Sequence, residues 1–315
     1  MIIKLTGFNG NFYSKISENL ALQNIETTSD NKFDFEVIVD PNLESIRHPK
    51  KTIIALVEPQ VVRPDLYNEK KWKKFAGIFP LSSYRAQRLG FSEWFQFPVE
   101  LPKYVRDDRP RLSRIAIVNE HKFSGSSRSQ YGLRRKVIRH FEENFPTELK
   151  VFGIEWSKGR IIETRRRLFA FNQHTRTSEF SAKEAFSDLW HQYKNISGHM
   201  HEDLEELQSF QISVVVENDL DYVSEKVWKS IYSGAVPVYV GPKLTNDIEL
   251  ESVVLPSEPN LGSIIKKINE YDSHTISKIR NDGYAFLQGI KSSKYGVNLC
   301  AQNFVTSLNR LISNL

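Results

Sequence analysis

Residues 217–226, ENDLDYVSEK, set an acid and an amide beside a tyrosine, a second acid and a lysine. The longer run 210–242, FQISVVVENDLDYVSEKVWKSIYSGAVPVYVGP, reads as strand, short loop, helix, tight turn and strand. Glu217 and Asn218 then stand at the carboxyl end of the first strand, the edge where open α/β sheets bind ligands facing the next helix's N-terminus. With the helix expected over about 222–233, Tyr222, Glu225 and Lys226 share one face of its first turn. A carboxylate that can accept two ribose hydroxyls, beside an ammonium that can bind phosphate, suits a nucleotide. The same spacing also describes an ordinary helix start whose Glu and Lys face water.

Elements on either side must hold these residues in place. Residues 2–5, 35–39 (FEVIV) and 52–57 (TIIALV) are short apolar runs, as in strands buried on both faces of a parallel sheet. A further apolar run follows at 75–79, and 91–99 is aromatic-rich. Residues 100–113, ELPKYVRDDRPRLS, combine two prolines with clustered charge and read as a linker. A second unit opens with the strand 114–118 (RIAIV), the Gly/Ser-rich loop 123–130 and a helix over 132–144 with Leu133, Val137, Ile138 and Phe141 on one face. Residues 159–197 are basic and polar, with no element placed. A helix over 201–209 leads to a strand at 212–216. Gly234 closes the next helix, and the strand 236–240 ends at Gly241-Pro242. Helices are expected over 262–271, 276–287 and beyond 297. The expected division is residues 1–105, 106–300 and a terminal helix 301–315.

The segment EN…DYVSEKVWKSIYSGAVPVYVGP resembles the donor-binding signature of the glycosyltransferase family 10 α1,3-fucosyltransferases. About 30 contiguous residues carry the likeness. The resemblance implies an α/β GT-B fold, two Rossmann-like domains facing each other across a cleft, with the nucleotide sugar in the C-terminal one. It implies donor contacts from Asn218, Tyr222, Glu225 and Lys226, with Glu225 on the ribose and Lys226 on the diphosphate. The family's diphosphate-holding arginine opens a helix after a strand and loop. In RIAIVNEHKFSGSSRSQYGLRRKVIRHF that layout gives Arg134, with Arg135 as the fallback. A general-base Glu after an N-terminal strand corresponds to Glu58, although Glu58-Pro59 lacks the intervening Ser. The same residues also read as a loop acid before a turn-forming proline, for Glu58, and as one surface arginine among several, for Arg134. The family's central N-terminal motif is not kept: FAGIFPLSSYRAQRLGFSEWFQFPVE has Tyr84 and Arg85 but no Asp. Acceptor choice therefore does not carry over.

The expected reaction is inverting transfer of L-fucose from GDP-fucose to a glycan hydroxyl. A base stands on one side and fixed cations on the other, so no cofactor or metal is required. The alternatives are a GT-B enzyme using another nucleotide sugar, or a nucleic-acid-binding protein using the basic middle. Between 101 and 180 there are 18 Lys/Arg and 9 Asp/Glu, a local charge of +9, so the remainder sums to −4. No RRM, KH or zinc signature accompanies that charge, so no nucleic-acid partner is expected. Asp219 and Asp221 spell DxD; Asp221 is read as a helix N-cap or loop residue. His199, His201 and nearby His191 are read as solvated, Arg165–Arg167 as solvent-facing, and Cys300 as a buried small hydrophobe. Residues 1–16 hold no long apolar core, and no run approaches the ~20 residues that cross a bilayer. A cytoplasmic enzyme is expected, with peripheral contact at an inner membrane face left open.

Overall fold

A computed structural model of the chain describes residues 1–99, 111, 113–156, 160–175, 180–183, 191–198, 206–244, 247–290 and 293–315. The chain divides into two compact units, Met1–Glu100 with Gly289–Leu315, and Leu101–Gln288.

The first unit holds β1 (Ile2–Thr6), β2 (Glu26–Thr28), β3 (Phe35–Val39), β4 (Thr52–Leu56) and β5 (Gly77–Pro80). They form one parallel sheet in the order β2-β1-β3-β4-β5. Every side chain of β4 is buried, which is why TIIAL is apolar at successive positions. Helices α1 (Gly10–Ala21), α2 (Glu69–Trp72) and α3 (Ser83–Leu89) connect the strands. The aromatic run at 91–99 forms no strand; Phe95 and Phe97 pack as side chains instead, 5.5 Å apart and edge to face.

The second unit holds β6 (Ser113–Val118), β7 (Leu149–Phe152), β8 (Phe210–Val216), β9 (Val236–Val240) and β10 (Leu255–Pro256), again all parallel, in the order β10-β9-β8-β6-β7. Its helices are α4 (Tyr131–Asn144), α5 (Arg160–His174), α6 (Glu225–Ser233), α7 (Ile248–Glu251), α8 (Leu261–Glu270) and α9 (Ser273–Gly289). The chain leaves β6 toward β7 on one side and returns through β8 on the other. The sheet's switch point therefore lies between the carboxyl ends of β6 and β8. Ile115, Ile117, Ile212, Val214 and Val216 join Leu133, Val137, Ile138 and Phe141 of α4 in one core, as the helical spacing requires.

Three expectations change. Helix α6 begins at Glu225, not near 222, because the Ser224 side chain caps it, accepting from the Lys226 N–H at 3.4 Å. Asp221 is thus a loop residue and not the cap. Over 201–209 only the last part is described, and it is a single 3-10 turn, Leu207–Ser209. The final helix, α10 (Val297–Ser313), groups with the first unit, as do residues 289–296. Its Phe304 lies 5.3 Å from Phe8, 5.4 Å from Phe79 and 5.7 Å from Phe95, between their rings. Cys300, on the same helix, is buried, as its apolar neighbours predict.

Candidate active site

The site is built at the β6/β8 switch point. After β8 the chain presents Glu217 and Asn218; after β6 it presents a long loop and then α4. Arg134, one turn into α4 and only 3% exposed, reaches back to the end of β8. Its Nε and Nη2 donate to the Val216 carbonyl at 2.9 and 2.5 Å, and Nη2 also donates to Asn218 Oδ1 at 2.7 Å. The Tyr131 ring lies 4.9 Å from the guanidinium. The Gln130 N–H donates to the Asn218 carbonyl at 3.2 Å, which ties the start of α4 to the same loop. Two edges of the guanidinium are thereby fixed. Nη1 makes no hydrogen bond among the described residues.

Asn218 extends the cluster by donating from Nδ2 to the Tyr222 hydroxyl at 3.2 Å. Tyr222 lies in the loop ahead of α6, so it joins the site through Asn218 and not through a shared helix face. Glu217 is wholly buried; its Oε1 accepts the Ser224 N–H at 2.8 Å, while Oε2 has no partner among the described residues. Burial pushes the Glu217 carboxyl upward, opposed most strongly by the Lys226 ammonium. Lys226 is depressed by its own burial, with Glu217 the chief opposing charge and Arg134 adding to the depression. Its side chain is 20% exposed, and Nζ lies 3.9 Å from Glu225 Oε1. Glu225 is mostly exposed, where it can meet a ligand. The arrangement offers two held cations, a buried carboxylate and an outward carboxylate around one strand junction. It can bind a phosphorylated ligand at the cations and a diol at Glu225.

Arg135 is separated from this cluster. It is buried against the other side of the loop, donating Nη1 to the Lys122 carbonyl at 2.9 Å and lying 5.0 Å from the Phe123 ring centre. Of the three arginines expected in solvent, only Arg165 is exposed. Arg167 is buried 4.1 Å from the Phe123 ring centre and paired with Glu163 at 2.5 Å, and Arg166 pairs with Glu155. Burial without a partner would cost several kcal/mol, so each inward arginine brings its own acid or ring.

Asp219 is buried and accepts from Arg128 twice, Nη2 at 2.5 Å and Nε at 3.0 Å; Asp221 lies 3.7 Å from the same guanidinium. The two acids form an arginine clamp joining the β6 and β8 loops. Sequence reading missed it, since nothing local pairs residues 91 positions apart. His191 Nε2 lies 3.1 Å from Glu142. His199 and His201 fall outside the described residues. Among the described residues, no group of three His, Cys, Asp or Glu is gathered that could hold a metal ion.

Glu58 belongs to the first unit, exposed just beyond β4. Its backbone is fixed on both sides. Asp40, in a left-handed conformation at φ 39°, accepts the Val57 and Glu58 N–H groups at 2.8 and 2.7 Å. Tyr67 donates its hydroxyl to the Glu58 carbonyl at 2.8 Å, and buried Arg85 Nη1 donates to the carbonyls of Leu56, Val57 and Glu58. Arg85, noted only as a remnant of a lost motif, is the residue that shapes this strand end. Burial pushes the Asp40 carboxyl up to about 6.

No family model matches the chain, and no curated protein does. Solved structures do. A glycosyltransferase from Rickettsia africae ESF-5 superposes with TM-score 0.52 at 10% identity, over 100% of this chain and 99% of that one. Anabaena Alr3699/HepE in complex with UDP and glucose gives 0.51 at 11% identity, over 98% and 100%. The α1,3-fucosyltransferase with GDP, at 0.49 and 11%, adds nothing to this. At such identities the likeness is one of fold: the α/β GT-B class, with one five-stranded parallel sheet in each unit.

Proposed function

We propose that the chain is an inverting glycosyltransferase whose nucleotide-sugar donor binds at the β6/β8 switch point. The observation that carries this reading is Arg134 held by Val216 and Asn218, with Lys226 and Glu217 at the same junction. In this reading Arg134 Nη1 and Lys226 take the diphosphate, Glu225 takes the ribose hydroxyls, and Tyr222 with Asn218 fixes the pocket wall. The sugar's anomeric carbon is attacked by an acceptor hydroxyl as the C–O bond to the diphosphate breaks. Arg134 and Lys226 neutralise the departing charge, so no metal is needed. Glu58, preorganised by Asp40, Tyr67 and Arg85, takes the acceptor proton. The resemblance of residues 217–242 to the α1,3-fucosyltransferases favours GDP-fucose as donor and a glycan as acceptor.

A thermal-shift panel tests the donor. GDP should raise the melting temperature more than UDP, CMP or ADP. A larger shift with UDP would move the donor to another nucleotide sugar. No shift with any nucleotide, together with salt-steep binding to RNA, would replace the enzyme reading altogether.

A further inference from the structure

Helix α5 is inverted relative to an ordinary surface helix. Its inward face is polar: Arg167 meets the Phe123 ring and Glu163, and buried His174 sets Nδ1 2.9 Å from the Ala170 carbonyl and Nε2 3.2 Å from Ser124 Oγ. Gly125 presses on the same face, where a Cβ would stand 3.0 Å from His174 Cβ. These contacts fix α5 against the loop that follows β6.

Its outward face carries the large apolar residues. Ile161 is 73% and Phe169 64% exposed, and Ile162 and Leu168 are exposed beside them. Positions i, i+1, i+4, i+7 and i+8 from Ile161 bring all four onto one arc, with exposed Arg165 in its middle. Glu163 points inward to Arg167, so this arc carries no acid. The helix is anchored through its opposite face, and Ile161 and Phe169 project furthest from it. Arg165, exposed at the centre of the arc, has no ion pair among the described residues, so its charge is free to meet an anion.

We propose that the outward face of α5 docks on an anionic lipid bilayer, seating Ile161, Ile162, Leu168 and Phe169 at the headgroup–acyl boundary with Arg165 on lipid phosphate. A planar helix with an apolar face and cationic groups suits this interface. Pairing with a second copy suits it less, since two such arcs would desolvate Arg165 against apolar side chains with no acid to meet it. Nucleic acid supplies no apolar surface for four large side chains. Docking would hold the β6 loop, and with it one wall of the switch-point site, beside the membrane. The proposal stands independently of the nucleotide reading.

Flotation of the full chain with phosphatidylcholine vesicles, with or without phosphatidylglycerol at about one part in three, tests it. The chain should float with the anionic vesicles and much less with neutral ones. Ile161→Ser combined with Phe169→Ser should lower partitioning about tenfold or more, since each side chain loses its apolar burial in the interface. Arg165→Glu should remove the preference for anionic lipid. Unchanged thermal melting by circular dichroism separates these effects from misfolding. Absence of flotation by the unsubstituted chain, equal flotation of the double variant, or a solution dimer that the double variant dissociates would each overturn the proposal. Nucleotide-induced stabilisation, read separately, has no bearing on any of these outcomes.

Discussion

Arg134 Nη2 and Asn218 Oδ1 lie 2.7 Å apart across 84 residues of sequence, a hydrogen bond that ties the first turn of α4 to the loop after β8. The bond aims the guanidinium at the strand junction and holds it there before any ligand arrives. Preorganisation of this kind reduces the ordering cost on binding.

Arg134→Ala and Lys226→Ala should each weaken donor use by about 10²-fold or more, through loss of a charge-assisted contact. Arg135→Ala should leave nucleotide affinity nearly unchanged and instead lower stability by about 1–3 kcal/mol, because it removes a buried side chain that bonds the Lys122 carbonyl and packs on the Phe123 ring. Isothermal titration with GDP and thermal melting of the three variants separate the two kinds of effect. A GDP defect confined to Arg135→Ala would relocate the diphosphate site.

Chelation should leave activity nearly intact. Asp219→Ala should lower the melting temperature by removing both short bonds to Arg128, while leaving the insensitivity to EDTA unchanged. Loss of activity in EDTA with rescue by manganese would instead make the acidic pair a metal site.

Glu58→Gln should keep GDP affinity and cut turnover by roughly 10²- to 10⁴-fold. The substitution spares the backbone clamp, since Asp40, Tyr67 and Arg85 all bind Glu58 main-chain atoms. Near-normal turnover in the variant would remove Glu58 as the base.

Half-buried Asp40 and buried His121 should give opposite pH dependences of stability. Asp40 titrates at about 6 in the fold against 3.8 unfolded, so the folded state holds its proton longer, and stability is lost as pH rises from 3.8 through 6. His121 is pushed down to about 3 from 6.5, chiefly by burial and then by Arg135, so its stability is present above 6.5 and lost as pH falls toward 3. Each slope is about 1.4 kcal/mol per pH unit in its window. Asp40→Asn should therefore make melting more sensitive to acid between pH 4 and 6, as windows at 3.8–6 and 3–6.5 require. His121→Gln should do the reverse. Parallel melting curves for both variants and the unsubstituted chain would show the linkage to be absent.

The strands were legible because a sheet buried on both faces leaves continuous apolar runs, as in TIIAL and FQISVVV. The run 217–242 was legible because it combines short-range signals, a 3.6-residue apolar period closed by Gly234 in the left-handed region at φ 74°; the Ser224 cap went unread, so the helix start was placed three residues early. Arg134 could be placed by its spacing to Val137, Ile138 and Phe141, but its grip on Val216 and Asn218 is long-range and leaves no local trace. Helix α5 was opaque for a different reason. Its apolar residues face outward, so the usual sign of the pattern is reversed. Short β7 and β10, with four and two residues, carry too few residues to announce themselves.

The placement of α10 also bears on how the chain is made. Phe304 fills the space between Phe8, Phe79 and Phe95, and Leu311 closes over Gly77, where a Cβ would stand 3.2 Å from Leu311 Cδ2. During synthesis the first hundred residues leave the ribosome nearly two hundred residues before that helix does. At about 5–20 residues per second the delay lasts roughly ten seconds or more. The inserted second unit is complete within its own span and can fold during that interval, while the first keeps an open aromatic seam. Nascent chains stalled before residue 297 should therefore expose that seam to chaperones and proteases, and release of the last helix should close it.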